Sequence, residues 1–187
     1  MNVVAICNLS ISWLAGNPIT SIDDQSVEAG LCKANYDVSR DSVLEDGNWT
    51  FATKYWELAP LATSPIIGDG KLFKLPAECL RVLEVDNGSD TWKATWAREE
   101  NNIRISSDIA YIKGIFQLTD SEKFTTSFAQ AVAARMAMDL CIPLTNSTQV
   151  LQAMVELYRE KLLIAKARDG QQGSNKHFTN NQLTVVR

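Results

Sequence analysis

The fold class is decided by the change of pattern that begins at the stretch WTFATKYWEL, residues 49–58. Before it, apolar residues recur at helical spacing, whereas from Trp49 to about Ile115 aromatic and β-branched runs are punctuated by proline and glycine. Trp92 and Trp96 would share one strand face, and residues 99–102 would form a hairpin turn. The predicted strands are 51–58, 71–75, 80–85, 91–97, 102–106 and 110–116.

Two helices are predicted on each side of this β-region, because apolar residues there recur at steps of three and four. The first two are joined by a short connection, which makes them antiparallel neighbours. The predicted starts are Asp24 or Ser26 for the second helix, residues 119–122 for the third and residues 145–147 for the fourth. The predicted ends are Gly16, residues 46–48, Pro143 and Asp169.

These elements predict an α+β protein with a four-helix bundle-like core, an inserted antiparallel β-region and an extended C-terminal tail. The predicted domains are a helical bundle of residues 1–48 and 119–169, a β-domain of residues 49–118 and a flexible arm of residues 170–187. The arm is polar at first and regains strand-like character in its last six residues. We expect it to be loose until something binds it.

Composition and charge restrict the class of function. The 187 residues carry 18 Lys and Arg against 22 Asp and Glu, for a net charge of −4. Residues 159–187 have a balance of +4, so that residues 1–158 carry −8. An acidic body argues against a protein that mainly grips nucleic-acid phosphates. The absence of a long apolar run argues against a membrane span.

The sequence contains no pattern typical of a catalytic, cofactor or metal site. Its one histidine, His177, lies in the arm, which cannot hold a catalytic geometry. The four cysteines are 25, 47 and 62 residues apart, without the close pairs that zinc or a redox dithiol needs. We therefore predict no enzyme activity, no cofactor and no metal, and we expect the cysteines to be reduced and buried.

The aromatic residues of 49–56 and 92–96 leave two interpretations open. They can pack in the core or at a subunit interface, or they can stack bases as in single-strand-binding proteins. Only Lys54 and Lys93 lie among them, close to acidic residues, which favours packing. The basic residues between 159 and 168 likewise favour a solvated face or an acidic partner over nucleic acid.

The order of several short motifs resembles that of a known family. In the first half these motifs are residues 17–24, Tyr36, Arg40-Asp41 and Trp49-Thr50-Phe51. In the second half they are Leu75-Pro76, Arg81-Val82, Tyr111-Ile112, Phe124 and residues 129–145, above all Arg135-Met136-Ala137. Over about residues 9–169 the chain resembles the tail tubular protein A family, the head-to-tail adaptors of short-tailed phages.

The resemblance implies a structural virion protein that forms a ring, commonly dodecameric, between the portal and the tail nozzle. Such a ring passes genomic DNA through its lumen without binding it specifically. The implied partners are other copies of the chain, the portal protein and the nozzle protein, and the implied place is the virion neck after synthesis in the host cytoplasm. Another head-completion or tail-terminator protein and a nucleic-acid-binding module stay open as alternatives.

The resemblance also implies where the partners bind. The portal and subunit interface is expected on the helical part and the arm, with the candidate residues Arg159, Lys166, Arg168, His177, Phe178, Leu183, Val185, Val186 and Arg187. The nozzle is expected on the β-region, with the candidate residues Trp92, Trp96, Glu99 and Glu100. A basic arm that ends in a β-capable hexapeptide suits docking as an added strand on a partner.

Overall fold

The computed structural model describes residues 1–65, 69–88 and 95–172, and within them it contains four α-helices and six β-strands. The helices are α1 (Val3–Trp13), α2 (Val27–Glu45), α3 (Thr126–Thr145) and α4 (Thr148–Gly170). The strands are β1 (Thr53–Leu58), β2 (Lys71–Lys74), β3 (Cys79–Asp86), β4 (Trp96–Glu99), β5 (Asn102–Ile105) and β6 (Ala110–Phe116). The predicted α+β class is confirmed.

Each α-helix begins at a polar side chain that accepts a hydrogen bond from a backbone N–H of the first turn. These N-caps are Asn2, Ser26, Thr125 and Ser147. Ser26 therefore caps α2, and Asp24 has another role. The Asp24 carboxylate accepts hydrogen bonds from the amides of Ser21 and Thr20, and these bonds lower its pKa.

Both ends of α3 differ from the prediction. Residues 119–122 do not start the helix, because a separate 3-10 turn (Ser121–Lys123) comes first. At the other end the helix continues through Pro143 to Thr145. A proline in the last turn removes only one backbone hydrogen bond. The helix ends instead at Asn146, which takes a left-handed conformation with φ of +50°.

The strands form two antiparallel sheets of three strands each. The first sheet has the order β1-β6-β3, so β6 is its central strand, and the second has the order β2-β5-β4. Strands β4 and β5 form the predicted hairpin, in which Glu99 lies opposite Asn102. Strand β4 begins at Trp96. Trp92, predicted to share its face, lies outside the described residues.

Helix α3 lies at the centre of the helical part. It packs against α1, α2 and α4, whereas α1 and α2 contact each other much less. The buried face of α3 is rich in alanine, with Ala129, Ala133 and Ala137 fully buried. Small side chains let neighbouring helices approach closely, which explains why α3 can contact all three.

The first sheet is packed on both faces. One face joins the main hydrophobic core with the helices, to which Ile115, Leu80 and Leu83 contribute. The opposite face and the second sheet enclose a smaller core that includes Ile112 and Phe73. The alternation of Ile112 and Ile115 along β6 follows from strand geometry, since residues an odd number apart point to opposite faces.

Candidate interaction surfaces

Three basic side chains that the resemblance assigns to the portal interface lie on α4. Arg159 is exposed, and its Nη1 lies 2.7 Å from Oε1 of Glu156. Arg168 donates from Nη1 to Oγ of Ser127 at 2.8 Å, which ties the end of α4 to the start of α3. Lys166 is exposed and lines a cleft. Two of these three cations therefore already have partners within the chain.

The cleft at the end of α4 has a volume of about 450 Å³. It lies between the loop of residues 46–50, Arg81 of β3, and Lys166 and Asp169 of α4. Arg81 donates from Nη2 to the carbonyl oxygen of Gly47 at 2.8 Å. The cleft is lined by charged side chains of both signs, and Arg81 is hydrogen-bonded to a residue that lines it. The cleft therefore marks a contact between the helices and the strands.

Asp169 fixes the end of α4 beside the β-region. Its carboxylate accepts hydrogen bonds from the backbone N–H and from Oγ1 of Thr50, at 2.8 and 2.9 Å, and the residue is buried. Thr50 lies three residues before β1. The sequence predicts Asp169 only as a helix end, because the local pattern gives no information about a partner 119 residues away.

The other predicted portal-interface residues belong to the C-terminal arm. They lie outside the described residues: His177, Phe178, Leu183, Val185, Val186 and Arg187. The described chain ends at Gln172, whose backbone N–H donates to the carbonyl oxygen of Asp169 at 3.0 Å. The arm therefore leaves the body beside the cleft and close to the start of β1.

The predicted nozzle-facing residues are spread along the β4–β5 hairpin. Trp96 is exposed at the start of β4. Glu99, at its end, pairs with Arg104 of β5, with Oε1 2.6 Å from Nε. Glu100 lies in the turn with φ of +54°. Because a strand rises about 3.3 Å per residue, Trp96 and Glu100 lie roughly 13 Å apart and form no single cluster.

Several of the motif residues that carry the family resemblance lie in the interior. Trp49 is buried, donates from Nε1 to the carbonyl oxygen of Val43 at 2.9 Å, and packs edge-to-face on Phe128 with ring centroids 5.0 Å apart. Phe51 packs on the same ring at 5.1 Å. These aromatic side chains hold α3 against the segment that precedes β1, so their role is structural.

A polar network around Arg40 joins α2 to the end of the β-region. The buried guanidinium pairs with Asp41 at 2.8 Å and with Asp37 at 2.6 Å. Burial opposes the charge of Arg40, but these carboxylates outweigh it and raise its pKa. Asp41 also accepts a hydrogen bond from Nε2 of Gln117 at 2.7 Å. The Arg40-Asp41 motif is thus part of the scaffold.

A second network joins α2, α3 and α4. Asp139 accepts from Ser39 Oγ at 3.0 Å and from Arg135 Nε at 3.1 Å. The Arg135 guanidinium lies over the ring of Tyr158, 5.9 Å from its centroid. The Tyr158 hydroxyl donates to Asp46 at the end of α2. Arg135, the centre of the most family-like segment, therefore contacts neighbouring helices and is unavailable as a ligand site.

Two aromatic residues of β1 form an exposed surface. Tyr55 is 65% exposed and Trp56 is 46% exposed, although neighbouring residues of a strand point to opposite faces. Trp56 stacks on Phe116 at 5.8 Å, and Lys113 Nζ lies 5.9 Å from the centroid of Tyr55. Sequence analysis grouped these residues with Trp49. The structure separates them, because Trp49 enters the core and β1 lies at the sheet edge.

The structure brings together two cysteines that are distant in sequence. Interaction of the Cys7 thiol on α1 with the Cys32 thiol on α2, and then burial, raises the pKa of Cys7. All four cysteines are free thiols. Cys7, Cys32 and Cys141 are buried as predicted, whereas Cys79 is only half-buried because it begins an edge strand.

Two features were sought among the described residues, a group of metal-ligating side chains and a helix able to cross a membrane. Within residues 1–65, 69–88 and 95–172, no three His, Cys, Asp or Glu side chains form a group that could hold a metal ion. None of the described helices combines the length and the apolar character that a membrane crossing requires. In comparisons with models of protein families and with curated protein sequences, the chain has no match.

Proposed function

We propose that the chain is a structural virion protein, a head-to-tail adaptor that forms a ring between the portal and the tail nozzle of a short-tailed phage. In this proposal the ring is dodecameric and DNA passes through its lumen without specific binding. The protein has no enzymatic role and no cofactor. It is made in the host cytoplasm and resides in the neck of the virion.

One observation carries the proposal, namely the order of the elements together with the place of the motif residues. The described residues run through two helices, six strands and two more helices, in the order on which the resemblance rests. Several residues that carry the resemblance, such as Trp49 and Arg40, are buried where these elements meet. Scaffold residues of this kind support kinship in fold, and the proposed function rests on that kinship.

The proposal assigns parts of the molecule to partners. Residues 1–48 and 119–169 form a bundle-like helical domain that, with the arm of residues 170–187, engages the portal and neighbouring subunits. Residues 49–118 form an inserted β-domain that faces the nozzle. The charge of −8 on residues 1–158 supports a lumen that does not retain DNA, because like charges repel.

The test is the mass of the protein alone and after mixing with the portal protein of the same genome. Native mass spectrometry or light scattering gives the subunit count, and negative-stain imaging gives the symmetry. We expect a ring stacked on the portal. The protein alone can stay monomeric, since a segment that orders on binding gives little drive to self-association. No association with an intact portal at any salt concentration contradicts the proposal.

Deletion of residues 171–187 tests the role of the arm. We expect the deletion to abolish portal binding and to leave the helical content of the body unchanged, because the last described core residue, Ala165, precedes the deletion. A matched control replaces the exposed Arg159 with alanine in the full chain and should bind more tightly than the deletion variant. Full portal binding by the deletion variant would contradict the assignment of the arm.

Two alternatives are separated by the same experiments. A tail-terminator or another head-completion protein would form an oligomer of different symmetry or attach elsewhere. A nucleic-acid-binding module is favoured by one observation, the exposed Tyr55 and Trp56 beside Lys54 and Lys113. Affinity for single-stranded DNA that falls steeply with salt would support the second alternative.

A further inference from the structure

Strand β1 has an exposed free edge among the described strands. Strand β1 has β6 as its neighbour on one side, and no other described strand pairs with it. Four consecutive residues, Lys54 to Glu57, are exposed, including Tyr55 and Trp56. An edge of this kind presents unpaired N–H and C=O groups together with apolar surface, which is a template for a further strand.

The C-terminal arm leaves the body close to this edge. Asp169 holds Thr50 through two hydrogen bonds, and Thr50 lies just before β1. The arm therefore starts close in space to the beginning of β1.

The arm is long enough to reach the edge in either direction. Residues 173–181 are nine residues, which span at most about 30 Å when extended. The six residues of β1 are roughly 20 Å long. The linking residues can therefore run the length of β1, and the following segment can then return antiparallel to the strand. They can equally place that segment parallel to β1.

The chemistry of the last six residues fits the edge. The segment QLTVVR, residues 182–187, has the same length as β1 and is rich in residues that favour strands. Alternation places Leu183 and Val185 on one face and Thr184 and Val186 on the other. Side chains on both faces suit β1, where Tyr55 and Trp56 point to opposite faces and both are exposed.

We propose that residues 182–187 pair with the free edge of β1 in the same molecule, as a fourth strand of the first sheet. The pairing satisfies the edge groups of β1 and covers Tyr55 and Trp56. It goes beyond the adaptor function and does not depend on it, because it concerns the isolated protein.

The test is amide hydrogen exchange at single-residue resolution, on the full chain and on a variant that ends at Asn181. We expect the β1 amides that do not donate to β6 to exchange at least ten-fold faster in the shortened variant. The amides of β6 are the internal control and should exchange equally in both. Equal exchange of the β1 edge amides in the two proteins overturns the proposal.

Two substitutions in the full chain provide a matched pair. The first replaces Thr184 and Val185 together with proline. Because successive strand amides point to opposite sides, this change removes a backbone donor towards β1 in either register and should reproduce the effect of the shortened chain. Asn175→Pro, in the linking residues, should leave the protection of the β1 edge unchanged. If both substitutions or neither of them release the edge amides, strand pairing by residues 182–187 is wrong.

Light scattering under the same conditions identifies the source of the strand. Protection of the β1 edge in a monomer, independent of protein concentration, supports pairing within one molecule. Protection that is present only in an oligomer overturns the same-molecule assignment, because the strand then comes from a second copy. None of these measurements uses a portal, so they are independent of the test of the adaptor function.

Discussion

The side chains of Tyr36 and Tyr158 form a matched pair. Both are buried, but no described residue hydrogen-bonds to the Tyr36 hydroxyl, whereas the Tyr158 hydroxyl donates to Asp46. We predict that Tyr36→Phe leaves the free energy of unfolding unchanged or raises it by up to about 1 kcal/mol. The substitution removes a hydroxyl that loses its hydrogen bonds to water on folding and gains none from the described residues. Tyr158→Phe should lower it by about 1–2 kcal/mol. Urea denaturation at pH 7 measures both, and a large loss in Tyr36→Phe would contradict the first prediction.

The buried Tyr36 hydroxyl also predicts how the stability of the protein depends on pH. Burial raises the pKa of Tyr36 to about 12, above its ordinary value of 10.0. Between these values the unfolded chain loses the phenolic proton while the folded chain keeps it, so stability is full below pH 10 and falls as pH rises towards 12. Tyr36→Phe should reduce this fall. Denaturation of both proteins from pH 8 to pH 11.5 tests the prediction, and equal slopes would refute it.

Single residues show what the sequence could and could not predict. Pattern placed Trp49 and Arg135 in a shared scaffold, and both lie within the packed body. It could not separate Trp49 from Trp56, because aromatic residues of a strand look alike whether the strand is central or at an edge. Trp56 is exposed because β6 is the only described strand that pairs with β1, which leaves β1 at the edge of the described sheet.

At the scale of elements, the β4–β5 hairpin contains a residue in an unfavourable conformation. Glu100 occupies the turn with φ of +54°, which is less favourable for any residue with a Cβ atom than for glycine. We predict that Glu100→Gly raises the free energy of unfolding by about 0.5–1 kcal/mol, since the relief of the turn exceeds the added freedom of the unfolded chain.

The neighbouring position supplies the control for this prediction. Asn101 lies in the same turn but is absent from the described residues with positive φ. Asn101→Gly should therefore give no gain and a loss of up to about 1 kcal/mol. Thermal and urea unfolding measure the two variants, and an equal gain in both would show that the conformation of Glu100 is not the cause.

Most elements could be predicted because they depend on local pattern, and the exceptions depend on partners or on cap geometry. Strand β6 has the predicted bounds, 110–116. The end of α3 does not, because a proline is tolerated in the last turn and the left-handed Asn146 supplies the stop. The close contact of α3 with the three other described helices follows from its buried alanines. The spacing of apolar residues in the sequence does not predict this contact.

For the whole molecule, Asp169 is the residue that joins the helices to the strands. We predict that Asp169→Ala lowers the free energy of unfolding by about 1–3 kcal/mol, because it leaves the Thr50 amide without its charged acceptor. The matched control is Asp108→Ala, which removes an exposed ion pair with Lys71 and should leave the free energy of unfolding nearly unchanged.

A double-mutant cycle distinguishes this bond from a general effect of the substitution. If the hydrogen bonds carry the loss, Asp169→Ala combined with Thr50→Val should destabilise the protein by less than the sum of the two single changes. Additive losses would place the effect of Asp169 elsewhere. Denaturant unfolding of the four proteins supplies the numbers.

The overall arrangement was the part least accessible to sequence reasoning. The α+β class followed from the order of patterns, but the enclosure of the first sheet between two cores did not, because it depends on which strands are neighbours. The surfaces proposed for the portal and the nozzle depend on other molecules. No property of one chain determines those contacts.

The central position of β6 and α3 affects the order in which the protein can fold during its synthesis at the ribosome. Strand β1 pairs with β6, so Thr53 can pair only after Ile115 has been synthesised. Helices α1 and α2 make their main contacts with α3, which is also synthesised later. The N-terminal half of the chain is therefore synthesised before its principal partners exist. Folding cannot proceed from the N-terminus onwards as each segment emerges. A pause in translation before residue 110 would hold β1 without a neighbour on either side, and this is the moment at which nascent chains are most exposed to aggregation.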